Sequence, residues 1–119
     1  MEKKKGKEAM AIALILSGGT GTRLGSDIPK QYLEIGGIPI IIYSIEQLHY
    51  HSGIEAIQIV ADPVWQGQIR DWLAAYGVGG KLRGFSKPGG NRQLSILHGL
   101  EDIREYADDS GYVFIHDAA

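Results

Sequence analysis

The order of apolar runs and helical segments constrains the fold of this chain more than any other feature. The first run, Ala11–Leu16, is apolar throughout, which is typical of a strand covered on both faces. The other predicted strands are Ile54–Ala61, Lys81–Phe85 and Tyr112–His116. Strands that alternate with helices pair in parallel through right-handed crossovers. The sequence therefore predicts an α/β fold built on a parallel, Rossmann-like sheet.

Helices are expected between these strands. The first predicted helix is Ile40–Tyr50. The second follows Asp62-Pro63, an N-cap residue with proline at the first helical position, and stops at Gly77. The third begins at Asn91 or Arg92. Helical spacing predicts the buried side chains of the last two helices, which are Ile69, Trp72, Leu73, Tyr76, Ile96, Leu97, Leu100 and Ile103.

Composition indicates a globular domain and argues against several functions. The chain has 119 residues, of which 44% are hydrophobic, enough for one domain with a core. The net charge of −2 provides no basic field, so we expect no nucleic-acid partner. Without cysteine the chain has neither disulfides nor a thiolate metal site, and a reducing compartment is compatible.

The amino terminus is rich in lysine and leads into the first apolar run. This arrangement raises the hypothesis of a signal peptide, but the run is far too short to span a membrane. It also continues directly into a glycine-rich segment. We expect residues 1–9 to form a basic disordered tail, residues 10–119 to form one folded unit, and the protein to be cytoplasmic, without a membrane partner.

A glycine-rich segment, Ser17–Gly25, follows the first strand, where open α/β sheets bind ligands. Its backbone N–H groups could cradle phosphate, and the guanidinium of Arg23 could grip phosphate oxygens. The spacing matches neither the P-loop nor the dinucleotide pattern, which would need glycine at Leu24. On the glycines alone, a tight strand-to-helix turn explains the segment as well as a ligand site does.

Lys30 follows Pro29, seven residues after Arg23. Because the proline restricts the backbone, this lysine is held more firmly than one in a flexible loop. Its ammonium group could reach the same phosphate as the guanidinium of Arg23. Taken alone, it would be interpreted as a surface lysine.

Together these segments resemble a known family. The stretch LILSGGTGTRLGSDIPKQYLEIGGIPIIIYSIE is similar to the pyrophosphorylase-like nucleotidyltransferases, and particularly to the 2-C-methyl-D-erythritol 4-phosphate cytidylyltransferases. The short spacing from Arg23 to Lys30 and the following Gln31-Tyr32 favour this family over the sugar-1-phosphate nucleotidylyltransferases. The resemblance implies the nucleotide-diphospho-sugar transferase fold, truncated, because it covers the front part of the family's domain.

Two later segments extend the resemblance. Residues 88–95, PGGNRQLS, are similar to the family's GGxxRxxS element, which holds the cytidine nucleotide at the start of a helix. The match can be anchored either on Arg92 and Ser95 or on Gly89-Gly90. Residues 116–119, HDAA, are similar to the family's HDAAR, in which the aspartate binds the metal. As an isolated residue, Asp117 could equally be a turn residue.

The resemblance implies transfer of a cytidylyl group from CTP to 2-C-methyl-D-erythritol 4-phosphate, with release of pyrophosphate. It implies that Arg23 and Lys30 are catalytic and that Asp117 holds Mg²⁺. The nucleotide-binding residues that it implies are Ser17, Gly18, Gly19, Thr20, Gly21, Gly89, Gly90 and Ser95.

Two alternatives to this implied function stay open. They are a ribitol-5-phosphate cytidylyltransferase and a non-catalytic CTP-binding fragment. The family's later portion supplies the acceptor pocket and a dimerising arm. We therefore expect a homodimer at full length and little turnover from residues 1–119 alone.

Overall fold

The computed structural model describes residues 10–18, 28–108 and 111–119. The predicted tail and most of the glycine-rich segment lie outside this described part. The elements in chain order are β1 (Ala11–Ser17), a 3-10 helix (Lys30–Tyr32), β2 (Glu34–Ile35), β3 (Ile38–Pro39), α1 (Ile40–His49), β4 (Ile54–Ala61), α2 (Pro63–Tyr76), β5 (Leu82–Ser86), α3 (Arg92–Ile103) and β6 (Tyr112–Asp117).

Within the described residues, the main sheet has the strand order β5-β4-β1-β6, and every pairing in it is parallel. The α/β fold predicted from the alternation of strands and helices is therefore confirmed. In the register of the sheet, Ser17 lies opposite Ala61 of β4, and Leu16 lies opposite Asp117 of β6. The carboxyl ends of these three strands consequently share one edge, which we call the carboxyl edge.

Both faces of β1 and β4 are covered, which explains their almost continuous apolar sequences. Alternate residues of the two strands face α1 and α2, in a cluster that includes Ala13, Ile15, Ile57, Ile59, Ile41, Ile45, Ile69 and Leu73. The remaining residues face α3, in a cluster made of Ile12, Leu14, Ala56, Val60 and Ile103. The sheet thus lies between two helical layers, with its two central strands buried.

The predicted start and end of α2 and the predicted start of α3 are confirmed. The Asp62 carboxylate accepts a hydrogen bond from the N–H of Val64 at 3.0 Å, and Pro63 occupies the first turn. Gly77 ends α2 with a φ of 70°, a left-handed conformation that glycine adopts without a steric penalty. Asn91 caps α3 by accepting from the N–H of Leu94 at 2.8 Å.

Two of the side chains predicted to face inward do not. Leu97 of α3 is 46% exposed and Tyr76 of α2 is 41% exposed. The buried line of α3 is instead narrow and consists of Ser95, Gly99 and Ile103. A Cβ atom at Gly99 would lie 2.5 Å from the Leu14 side chain, so α3 packs closely on β1 along this line and leaves its flanks open.

Two further differences concern short elements. The strand β5 begins and ends one residue later than predicted. Lys81 lies just before it, and its carbonyl still accepts a hydrogen bond from the N–H of Ile57 at 2.8 Å. The Lys81 ammonium group donates to the carbonyls of Leu48 and His51, at 3.1 and 2.8 Å, near the carboxyl end of α1. The sequence reasoning also missed the β2–β3 hairpin, whose strands are only two residues long and turn through Gly36-Gly37.

The strand β6 lies at an edge of the sheet, paired with β1 alone in the described part of the chain. Four consecutive apolar residues of β6 are exposed, by 37% to 67%, and they are Tyr112, Val113, Phe114 and Ile115. An exposed apolar stretch on an edge strand is a template for pairing with another chain. Among the helices of the described residues, none is long and apolar enough to cross a membrane.

We predict that residues 1–119 self-associate through the β6 edge as concentration rises. Phe114→Lys should shift the equilibrium toward monomer, because a lysine on an edge strand opposes further pairing. The matched control is Leu97→Lys on α3, since Leu97 is similarly exposed and does not belong to the edge strand β6. Sedimentation velocity over a concentration series measures the effect. A chain that stays monomeric throughout, or equal effects of the two lysines, would contradict the prediction.

Candidate functional site

A cavity of about 440 Å³ opens at the carboxyl edge of the sheet. The end of β1, the first turn of α3 with the loop before it, and the end of β6 all contribute to its wall. The lining residues are Leu16, Gly18, Gly89, Gly90, Asn91, Arg92, Ser95 and Asp117. The cavity therefore brings together five of the site residues predicted from the sequence, which are Gly18, Gly89, Gly90, Ser95 and Asp117.

The amino terminus of α3 gives this cavity a positive potential. The first four N–H groups of a helix have no partner within the helix, and the helix dipole places a partial positive charge there. Asn91 satisfies the N–H of Leu94, and residues 90–92 line the cavity. An anion such as a phosphate is favoured at a helix end of this kind.

Gly89 is placed by a contact with Ser95. The hydroxyl of Ser95, which is only 9% exposed, accepts a hydrogen bond from the N–H of Gly89 at 2.9 Å. A Cβ atom at Gly89 would overlap the side chain of Leu94 and lie 2.9 Å from the Ser95 nitrogen. At Gly90 a Cβ atom would meet nothing within 4 Å. The loop therefore requires glycine at position 89 for close packing and not at position 90.

Gly18 provides the second close approach. A Cβ atom at this position would lie 2.7 Å from the Pro88 side chain and 3.2 Å from that of Val60. The chain therefore leaves β1 in direct contact with the loop before α3. The absence of a side chain lets these two segments form adjoining walls of the cavity.

Asp117 and Arg92 form an ion pair at the mouth of the cavity. The guanidinium nitrogen lies 3.4 Å from the carboxylate oxygen, and both side chains are more than half exposed. Pairs that solvent screens in this way contribute about 0–1 kcal/mol, so the carboxylate can exchange partners easily. The motif at the start of α3 includes Arg92, but its spacing does not predict this pairing with Asp117.

Ser17 is buried at the end of β1 and is bound to the segment that carries Lys30. Its carbonyl accepts hydrogen bonds from the Gln31 side-chain amide at 3.0 Å and from the Tyr32 hydroxyl at 3.1 Å. The hydroxyls of Ser17 and Tyr32 are 2.6 Å apart. Lys30 itself begins the 3-10 helix and is exposed. Sequence reasoning noted Gln31-Tyr32 only as a mark of resemblance and missed this contact.

The Tyr32 ring is held on its other side by α2. It stacks on Trp65 with ring centroids 4.3 Å apart and an interplanar angle of 25°. Burial raises the pKa of the Tyr32 hydroxyl above its usual value, while hydrogen bonds from Ser17 and Gln31 lower it in part. The hydroxyl is therefore protonated at neutral pH and able to donate.

Four predicted site residues, Gly19, Thr20, Gly21 and Arg23, lie outside the described residues. Their position at the cavity stays a prediction. Among the described residues, no group of three or more His, Cys, Asp or Glu side chains could form a metal cage. Asp117 is the one carboxylate among the described residues that line this cavity.

A family comparison agrees with the chemistry of this cavity. The model of the 2-C-methyl-D-erythritol 4-phosphate cytidylyltransferase family matches residues 11–119. The chain belongs to this family. The match includes the end of β1, the first turn of α3 and Asp117, so the resemblance drawn from the motifs is confirmed.

Relatives within the family carry two different names. The chain is 40% identical over 110 residues to a ribitol-5-phosphate cytidylyltransferase of Vibrio parahaemolyticus, covering 91% of this chain and 45% of that protein. It is 34% identical over 106 residues to a 2-C-methyl-D-erythritol 4-phosphate cytidylyltransferase of Chlamydia pneumoniae, covering 89% of this chain and 44% of that protein. The chain thus spans less than half the length of these relatives.

The fold matches a solved structure of the family. A crystal structure of 4-diphosphocytidyl-2C-methyl-D-erythritol synthase superimposes with a TM-score of 0.73 at 21% identity. The match covers 94% of this chain and 47% of the other. The expected fold, truncated relative to its neighbours, is therefore confirmed.

We predict opposite outcomes for alanine at the two neighbouring glycines. Gly89→Ala should destabilise the protein by about 1–3 kcal/mol, because its methyl group has no room beside Leu94 and Ser95. Gly90→Ala should be neutral or slightly stabilising, because the methyl group enters open space and the unfolded chain loses freedom. Urea unfolding of the two variants and the parent chain measures the difference. Equal stability of the two variants would show that the loop does not pack as described.

Proposed function

We propose that this chain is the nucleotide-binding part of a cytidylyltransferase, which transfers a cytidylyl group from CTP to a sugar-alcohol phosphate and releases pyrophosphate. The observation that supports this proposal is the cavity at the carboxyl edge. It combines the Gly18 exit from β1, the α3 amino terminus and Asp117 in a member of a cytidylyltransferase family. Ligands of open α/β sheets bind in a crevice of this kind.

In this proposal the triphosphate lies between the glycine-rich segment and the first turn of α3. The α3 amino terminus and the backbone N–H groups from Gly18 onward would stabilise its negative charge. Gly89, Gly90 and Ser95 would hold the cytidine. Gly89 would do so with a backbone whose position is fixed by its hydrogen bond to the Ser95 hydroxyl.

The reaction requires two anions to meet. An oxygen of the acceptor phosphate attacks the α-phosphorus of CTP, a new P–O bond forms, and the bond to the leaving pyrophosphate breaks with its electron pair. No covalent enzyme intermediate is needed. The protein therefore acts by positioning the reacting phosphates and by stabilising their negative charge. We assign this role to Arg23 and Lys30.

Asp117 fits a Mg²⁺ ion that arrives with the nucleotide. Mg²⁺ in nucleotide sites is usually bound by one or two carboxylates together with substrate phosphates, and Asp117 is an exposed carboxylate at the cavity mouth. When bound, the ion would neutralise phosphate charge. Asp117 would then give up its weak pairing with Arg92, and the freed guanidinium could contact phosphate oxygens.

For the acceptor we propose 2-C-methyl-D-erythritol 4-phosphate, in keeping with the name of the matching family. This acceptor would place the enzyme in isoprenoid precursor synthesis. We also propose that the full-length protein is a cytoplasmic homodimer. The second candidate is ribitol 5-phosphate, which the 40% identity to the Vibrio parahaemolyticus relative favours. Both acceptors present the same attacking group, a phosphate on a sugar alcohol.

We predict that the chain binds CTP more tightly than UTP or ATP. The reason is that contacts from Gly89, Gly90 and Ser95 would recognise the base, whereas the triphosphate contacts are common to all three nucleotides. Isothermal titration calorimetry in Mg²⁺ buffer gives the three dissociation constants. Equal affinities would remove the cytidine assignment.

The same titration includes two aspartate variants. Asp117→Asn should abolish the gain in CTP affinity that Mg²⁺ provides. Asp71→Asn, which alters an exposed carboxylate on α2, should leave that gain intact. A Mg²⁺ dependence that survives in Asp117→Asn would exclude Asp117 as the metal ligand.

A further inference from the structure

The contact between Ser17 and the Gln31-Tyr32 pair is the most deeply buried polar contact near the proposed nucleotide site. Ser17, Gln31 and Tyr32 are 3%, 7% and 3% exposed. The geometry allows all donors to be used together. The Ser17 hydroxyl donates to the Tyr32 oxygen, and the Tyr32 hydroxyl and the Gln31 amide both donate to the Ser17 carbonyl. Both lone pairs of that carbonyl are then occupied.

This contact fixes the point at which the chain leaves the sheet. Ser17 is the last residue of β1, and the next residue, Gly18, already lines the cavity. A shift of Ser17 would therefore move Gly18, where even a Cβ atom would lie only 2.7 Å from the Pro88 side chain. Polar groups buried to this degree keep their partners, because an unsatisfied one is costly.

The other side of the contact is equally constrained. Tyr32 stacks on Trp65 at 4.3 Å, and Trp72 lies 6.0 Å from the same ring, so α2 holds the aromatic ring in place. Lys30 lies on the same 3-10 helix, two residues before Tyr32. A single short element thus carries both the proposed catalytic lysine and the anchor of the β1 terminus.

We infer that Tyr32, assisted by Gln31, is a positioning residue that sets the relative placement of Gly18 and Lys30 through its hydroxyl bonds to Ser17. Ser17 then contributes to nucleotide binding as the partner of Tyr32. The inference rests on the proposed function, because the ligand that benefits is the nucleotide. It adds two residues to the site that do not line the cavity.

Tyr32→Phe tests the inference, since it removes the hydroxyl and keeps the ring on Trp65. We expect CTP affinity to fall by about tenfold, the scale of a lost hydrogen-bonding group with a modest net contribution. The matched control is Tyr43→Phe on α1. This change removes a hydroxyl that donates to the carbonyl of Ile35 at 2.6 Å. That variant should bind CTP within about twofold of the parent chain. Equal affinities of the two variants would overturn the inference.

A double-mutant cycle separates positioning from direct contact. If Ser17 acts through Tyr32, then Ser17→Ala should weaken CTP binding in the parent chain and add little in the Tyr32→Phe background. If the Ser17 hydroxyl contacts the nucleotide itself, the two effects should add. Additivity would therefore contradict the role given to Ser17 here.

A nucleotide-free measurement keeps this inference separate from the proposed function. In ¹H–¹⁵N NMR spectra without ligand, Tyr32→Phe should shift the amide signals of both Gly18 and Lys30, and Tyr43→Phe should shift neither. Failure of the parent chain to bind CTP would refute the proposed function while this test still stands. Unchanged Gly18 and Lys30 signals in Tyr32→Phe would refute the positioning role, whatever the CTP result.

Discussion

Parallel pairing of β1 with both β4 and β6 is the constraint on which the rest of the structure depends. Because these strands run in the same direction and in the observed register, Ser17, Ala61 and Asp117 end at one edge. The connections that return to the sheet must cover its faces, so α1 and α2 bury one side and α3 the other. The first turn of α3 then meets the β1 terminus at the cavity.

Close backbone approach turns this shared edge into a binding cavity. Gly18 lies against Pro88, and Gly89 lies against the first turn of α3, at distances that a side chain would prevent. Groups of both charges lie beside these contacts. The α3 amino terminus and Arg92 are positive, and the Asp117 carboxylate paired with Arg92 is negative. A nucleotide with its metal supplies both signs, which is why this arrangement suits the proposed substrate.

The sequence was sufficient where local chemistry decides the structure. Ile54–Ala61 was predicted with its observed bounds, and the Asp62 cap and Gly77 stop placed α2 correctly. Prediction failed where tertiary packing decides, as at Leu97, which is exposed because α3 packs along a narrow line through Gly99. The Arg92–Asp117 pair and the Ser17–Tyr32 contact join residues 25 and 15 positions apart, and no periodicity or motif spacing reports such contacts. The resemblance named Gly89, Ser95 and Asp117, and the structure brings all three to one cavity.

The proposed function requires that the cavity at the carboxyl edge binds the nucleotide. The chain offers a second cavity of similar size, about 400 Å³, near the amino ends of β1 and β4, where His51, Gly53 and Phe114 contribute to the wall. The most direct test is a ¹H–¹⁵N NMR titration of the parent chain with CTP and Mg²⁺. If the nucleotide binds at the carboxyl edge, the largest amide shifts will occur at Gly18, Gly89 and Asp117. Shifts concentrated at Gly53 and Phe114 would contradict the proposed site.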